Sequence, residues 1–104
     1  MRRLLVPLAC AVLALGACSE PVAEDAPGDE IFRISCAPCH GANLQGRSGP
    51  PLGENAPSLG LPWQYFIDTV TRGRGRMPAF GSRLSEAQIE RVVDFVLEAQ
   101  GVSP

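Results

Sequence analysis

The stretch "SCAPCHG", residues 35–41, sets Cys36 and Cys39 three apart and places the only histidine of the chain, His40, directly behind them. Two thiols and one imidazole within five residues form a dense ligand set. A zinc site would need four ligands, and this set falls one short unless Cys18 or a carboxylate joins it. A thioredoxin-type dithiol would sit on a βαβ framework, and no apolar alternation of period two is visible. What the cysteines do therefore depends on the compartment the chain enters.

The first seventeen residues address that. "MRR" is a short basic start, and "LLVPLACAVLALGA" (Leu4 to Ala17) is an apolar run of fourteen. A membrane span needs roughly 20 such residues, so residues 1–17 read as a secretory signal. The segment ends in "LGACSE", which resembles a bacterial lipobox, with Leu15, Gly16 and Ala17 ahead of Cys18. That resemblance implies lipidation of the Cys18 thiol; Gly16 is less usual at its place, so cleavage after Ala17 stays open. Residues 18–27 follow, acidic, interrupted by Pro21 and Pro27, with only alanine and valine as apolar side chains. They are expected to form a flexible tether of up to roughly 30 Å. The folded domain is expected over 28–104.

Cys10 leaves with the signal, and Cys36 and Cys39 remain. In an exported chain they could pair as a disulfide. A c-type haem uses the whole stretch. The two thiolates add to the two vinyl groups of the haem, and His40 places its imidazole on the iron. Two intervening residues put the sulfurs about one helical turn apart, on one face.

Haem iron has a second axial position. The chain has no other histidine and no lysine, and its nine cationic side chains are all arginines, which do not ligate. After the signal the one methionine is Met77, in "GRGRMPAFG". Its thioether is a soft ligand, and it lies between flexible Gly73 and Gly75 and rigid Pro78 rather than on an apolar helical stripe. Met77 is the expected distal ligand.

From Gly28 to Gly101 the chain resembles the small bacterial class I cytochromes c. "GDEIFRISCAPCHG" resembles the N-terminal helix with the haem motif, Gly28 and Phe32 lying where that family contacts its last helix. "SGPPLG" resembles the loop whose proline carbonyl accepts a hydrogen bond from the ligating imidazole, here Pro50. "MPAF" resembles the methionine loop, and "LSEAQIERVVDFVLEAQ" the last helix, with Phe95 at an aromatic position. The resemblance implies an all-α cytochrome c fold: N- and C-terminal helices packed across each other, a middle helix, and long loops around one covalent haem c with its iron. The loop after the motif is short, and the arginines before Met77 fall where the family varies.

Local signals agree with that order. Asp29 and Glu30 suit a helix start, and the chain is helix-compatible to about Cys39. Residues 41–60 are rich in glycine and proline and read as loop. Pro62 opens a helix that Gly73 closes. Ser85 with Gln88 forms a capping box for the last helix, and Gly101 ends it. Ile89, Val92, Val93 and Val96 form its apolar stripe, while Glu86, Glu90, Asp94 and Glu98 form a solvated face. Trp63, Tyr65 and Phe66 are expected to pack around the haem, and Trp63 is also a candidate donor to a haem propionate.

The expected function is one-electron transfer between redox proteins on the outer side of the cytoplasmic membrane or in the periplasm. The domain would be lipid-anchored through Cys18 or soluble. With both axial positions filled by protein, and no paired carboxylates or activated serine, no catalysis and no small-molecule substrate are expected. No nucleic-acid partner is expected either. Two alternatives are a ligand sensor or weak peroxidase in which Met77 dissociates, and a small subunit of a dehydrogenase or oxidase. A non-haem dithiol oxidoreductase is a third. From Cys18 onward seven arginines face eleven acidic residues, a net charge of −4. Even so, Arg72, Arg74 and Arg76 crowd before Met77, with Arg83 soon after. Arg74 and Arg76 are candidates for propionate contacts, and the cluster for a basic rim that meets an acidic partner.

Overall fold

A computed structural model describes residues 20–102; the expected signal segment and Cys18 lie outside the described residues. Helical structure begins at α1 (Gly28–Ile31), whose first turn carries Asp29 and Glu30 against unpaired backbone N–H groups. It runs without a break through a π turn (Phe32–Cys36) into α2 (Ala37–His40). The π turn was not foreseen. Pro38 has no N–H to return to the carbonyl of Ile34, and the widened turn falls where that bond is missing. The Ala37 N–H closes it by reaching back five residues to the Phe32 carbonyl.

The middle helix α3 (Trp63–Arg72) follows Pro62 and stops at Gly73, whose φ of 73° is left-handed. The last helix α4 (Glu86–Ala99) starts with the expected capping box. Ser85 Oγ accepts from the Gln88 N–H (3.2 Å), and Gln88 Oε1 accepts from the Ser85 N–H (2.8 Å). It ends with two bonds that close around Gly101, from Gly101 N–H to Glu98 O (3.0 Å) and from Val102 N–H to Leu97 O (2.9 Å). This is the Schellman arrangement, which glycine at φ 81° permits. Among the described residues there is no β-strand, only an isolated bridge between Arg74 and Met77.

Helices α1 and α4 cross at Gly28. A Cβ there would stand 2.3 Å from the Arg91 carbonyl oxygen, so only glycine allows the approach. One turn on, the Phe32 and Phe95 rings meet with centroids 5.3 Å apart. Ile31, Phe32, Val92 and Val93 are the most deeply buried side chains, and the whole predicted stripe of α4 is buried with them. Burial of each such side chain contributes about 1.5–3 kcal/mol.

The tether expected over 18–27 is corrected for the residues that are described. Residues 20–27 form a strap lying along α4. Val22 packs against the core and Ala26 is buried. Gln88 Nε2 donates to the Ala23 carbonyl (3.0 Å), Arg91 Nε to the Ala26 carbonyl (3.0 Å), and Arg91 Nη2 to the Glu24 carbonyl. Ser85 Oγ donates to the Glu24 carboxylate (2.7 Å). A segment too polar to fold by itself is ordered by donors that α4 presents to its backbone.

Candidate functional site

The motif residues lie where helix gives way to loop. Cys36 ends the π turn and is half-buried, Cys39 is exposed, and His40 closes α2 with 7% of its surface exposed. A buried imidazole needs partners, and the loop supplies them. The Gly46 N–H donates to the His40 carbonyl (2.7 Å) and the Gly49 N–H to the Cys39 carbonyl (2.8 Å), wrapping the chain around the ring. A Cβ at Gly49 would sit 2.8 Å from His40 Cε1, so the backbone lies against the imidazole. His40 Nδ1 is 2.8 Å from the Pro50 carbonyl oxygen. A carbonyl only accepts, so Nδ1 carries the proton and Nε2 keeps its lone pair for a metal.

The two cysteines are free thiols in different settings. Burial, and secondarily the neighbouring Cys39, push the Cys36 thiol up to about 12. A thioether has no charge to desolvate and suits the same surroundings. Among the described residues no three His, Cys, Asp or Glu side chains converge as a metal site.

Met77 lies in a turn closed by its own backbone. The Arg74 N–H donates to Met77 O (3.1 Å) and the Met77 N–H to Arg74 O (2.9 Å). A Cβ at Gly73 would stand 2.6 Å from Met77 O, so the turn closes over a glycine. Downstream, the Phe80 N–H donates to Val70 O (2.8 Å) and the Gly81 N–H to Thr71 O (3.0 Å), fastening the loop to the end of α3. Met77 is partly buried against the core, as are Cys36, Leu44, Leu52, Tyr65, Ile67 and Val70. This apolar set with two thiols, an available imidazole nitrogen and a thioether matches the needs of a flat apolar macrocycle holding iron. The residues present fit a c-type haem.

Three further residues are candidates for propionate contacts: Trp63, Arg74 and Arg76. Trp63 is 38% exposed, and its indole N–H donates to Asp94 Oδ1 (3.0 Å). Arg74 Nη1 donates to Tyr65 Oη (2.6 Å), with its guanidinium carbon 5.6 Å from the Tyr65 ring centroid. Arg76 is exposed, and Arg83 stacks on Phe80 at 5.5 Å. Among the described residues the ion pairs are Arg33 with Glu20 and with Glu30, both exposed. The arginines around Met77 therefore have no acidic partner within the described residues.

Sequence reasoning missed Gly49 and the Tyr65–Arg74 pair. Gly49 stood in a loop crowded with glycines, which hid the one lying on the ring. Tyr65 and Arg74 sit on either side of a helix end, where no periodicity links them. A groove of about 460 Å³ is lined by Asn43, Gln45, Glu54, Asn55 and Ala99 among others, and includes none of Cys36, Cys39, His40 or Met77.

The family described as cytochrome c oxidase, cbb3-type, subunit III matches residues 23–96. The chain is 39% identical over 79 residues to cytochrome c6 of Aphanizomenon flos-aquae, a match covering 73% of this chain and 91% of that one. It is 37% identical over 89 residues to the cbb3-type cytochrome c oxidase subunit FixP of Azorhizobium caulinodans, covering 76% of this chain but 30% of FixP. Among solved structures, cytochrome c6 from the diatom Phaeodactylum tricornutum superposes with a TM-score of 0.62 at 36% identity. That match covers 71% of this chain and 91% of the diatom protein.

Proposed function

This chain belongs to the family of small class I c-type cytochromes, and we propose that it transfers single electrons with His40 and Met77 as the two axial ligands. Members of the family carry covalently bound haem c, which supplies a one-electron iron couple. Cys36 and Cys39 hold that group through thioethers. The Pro50 carbonyl fixes the tautomer and orientation of His40. Met77 would supply a thioether ligand, which favours the reduced state and a comparatively positive potential. The observation that carries this assignment is the 2.8 Å contact from His40 Nδ1 to Pro50 O, because it turns a buried histidine into a ligand.

Mass spectrometry of the denatured mature protein tests the attachment. The haem mass should stay with the polypeptide, and release of all haem into acidified organic solvent would refute it. The match to an oxidase subunit gives a second reading, a small subunit of a membrane oxidase. Co-purification with an oxidase from detergent-solubilised membranes would favour that over a free carrier.

The chain is exported, residues 1–17 acting as signal and Cys18 as lipid anchor. The strap at 20–27 then makes the link from anchor to domain shorter than composition suggested. Cys18→Ala should move the protein from the membrane to the soluble periplasmic fraction; unchanged membrane association would dismiss the anchor. Arg72, Arg76 and Arg83 give the Met77 side a positive rim on an otherwise acidic molecule, which suits a redox partner with an acidic docking face.

A further inference from the structure

The loop that carries Met77 is fastened unevenly. On its far side two backbone bonds, from Phe80 and Gly81, tie it to α3. On its near side the Gly73 N–H bonds Thr69 O (2.8 Å), and then the chain turns through Gly73 and Gly75 at φ 73° and 57°. A Cβ at Gly75 would meet nothing within 4 Å, so the tip has no packing seat of its own. Glycines at positive φ flank Arg74, and its side chain is held by one neighbour, Tyr65. Its Nη1 donates to Tyr65 Oη at 2.6 Å while its guanidinium lies over the Tyr65 ring. Tyr65 belongs to α3 and is partly buried against the core, so the anchor point is rigid. Arg74 is in turn locked to Met77 by the paired backbone bonds of the turn.

We propose that Arg74 and Tyr65 form a latch that positions Met77 for ligation and resists its displacement by an external ligand. The two are positioning residues, acting on the iron only through Met77. The inference rests on Met77 being the distal ligand. It gives Arg74 a task other than propionate binding.

A charge-assisted hydrogen bond combined with a cation–π contact is a modest interaction at the surface. Ligand exchange at ferric iron reads it directly, because any free energy lost from the methionine-bound state appears in the apparent affinity of a competitor. Imidazole is titrated into the ferric holoprotein while the weak far-red absorption of the methionine–iron bond is followed. Arg74→Ala and Tyr65→Phe should each raise apparent imidazole affinity by roughly three- to tenfold, in keeping with the loss of one such hydrogen bond. The double variant should go little beyond Arg74→Ala alone, since both changes break one contact. Arg74→Lys, which keeps a cation and a donor, should return most of the way to wild type. The thermal midpoint of the holoprotein should fall by no more than roughly 4–8 °C, the shift that losing one such contact carries in a domain this small.

Wild-type imidazole affinity in both single variants, or additive effects in the double variant, would overturn the latch. Met77→Ala separates the two levels. If it abolishes the far-red band while the latch variants behave as wild type, the ligand assignment stands and the latch fails. If the band survives Met77→Ala, the ligand assignment fails and the latch with it.

Discussion

His40 and Met77 are held by opposite means. The imidazole is 7% exposed, has a backbone lying against its ring, and donates to a carbonyl ten residues on. The surrounding loop is tied back to the motif at Cys39 and His40. Met77 is only partly buried, and its turn is anchored to α3 by backbone bonds downstream and one arginine upstream. The His40 side is built from backbone and burial, the Met77 side from a fastened loop. Changes near His40 should therefore cost the domain its haem or its stability, and changes near Met77 should alter ligation and leave the haem in place.

The largest effect tests the side expected to be structural. Cys36→Ser with Cys39→Ser should eliminate covalent haem. A domain of this size has little core to spare, so its helical circular dichroism should fall sharply as well. A fully helical, cooperatively melting haem-free variant would show that the fold needs no support from that side. Met77→Ala should do the reverse. Haem remains bound, the far-red band disappears, the potential falls and cyanide binds readily. Haem loss in Met77→Ala would erase the contrast.

Two glycines sharpen it. Gly49→Ala forces a methyl against the His40 ring, where overpacking costs about 1–3 kcal/mol. For a domain this small that lowers the thermal midpoint by roughly 5–20 °C. Gly75→Ala meets open space and carries only the left-handed backbone penalty of about 1 kcal/mol, a drop of roughly 4–8 °C. Melting curves of the two holoproteins decide, and equal losses would mean that the two sides are equally rigid. The smallest effect belongs to the surface. Arg76→Glu should slow electron transfer to an acidic partner by roughly two- to tenfold at low ionic strength, and salt should shrink the difference. Unchanged rates with haem and potential intact would remove Arg76 from the docking surface.

The His40 side was also the more legible in sequence. Cys36, Cys39 and His40 are contiguous, and the capping box and apolar stripe of α4 are local patterns. The role of Pro50 and the contact of Gly28 and Phe32 with the last helix came only from resemblance to a family, since nothing in the spacing alone joins positions so far apart. What sequence did not show are pairings between side chains and distant groups. Arg91 reaches the Ala26 carbonyl across 65 positions, and Trp63 reaches Asp94 across 31. Such bonds leave no periodicity, and the composition of residues 20–27 pointed the other way, toward disorder. The π turn was hidden because Pro38 was read as a spacer within the motif.

The strap along α4 also sets an order of events. Its bonds to Ser85, Gln88 and Arg91 span 61 to 67 positions, joining the first described residues to the last helix. A chain emerging N-terminus first presents Cys36, Cys39 and His40 well before α4 arrives to cover Phe32 and clasp the strap. Until that last helix arrives, the segment carrying the motif lacks the packing that α4 supplies through Phe95. The wait is set by the distance along the chain from His40 to Glu86, where α4 begins.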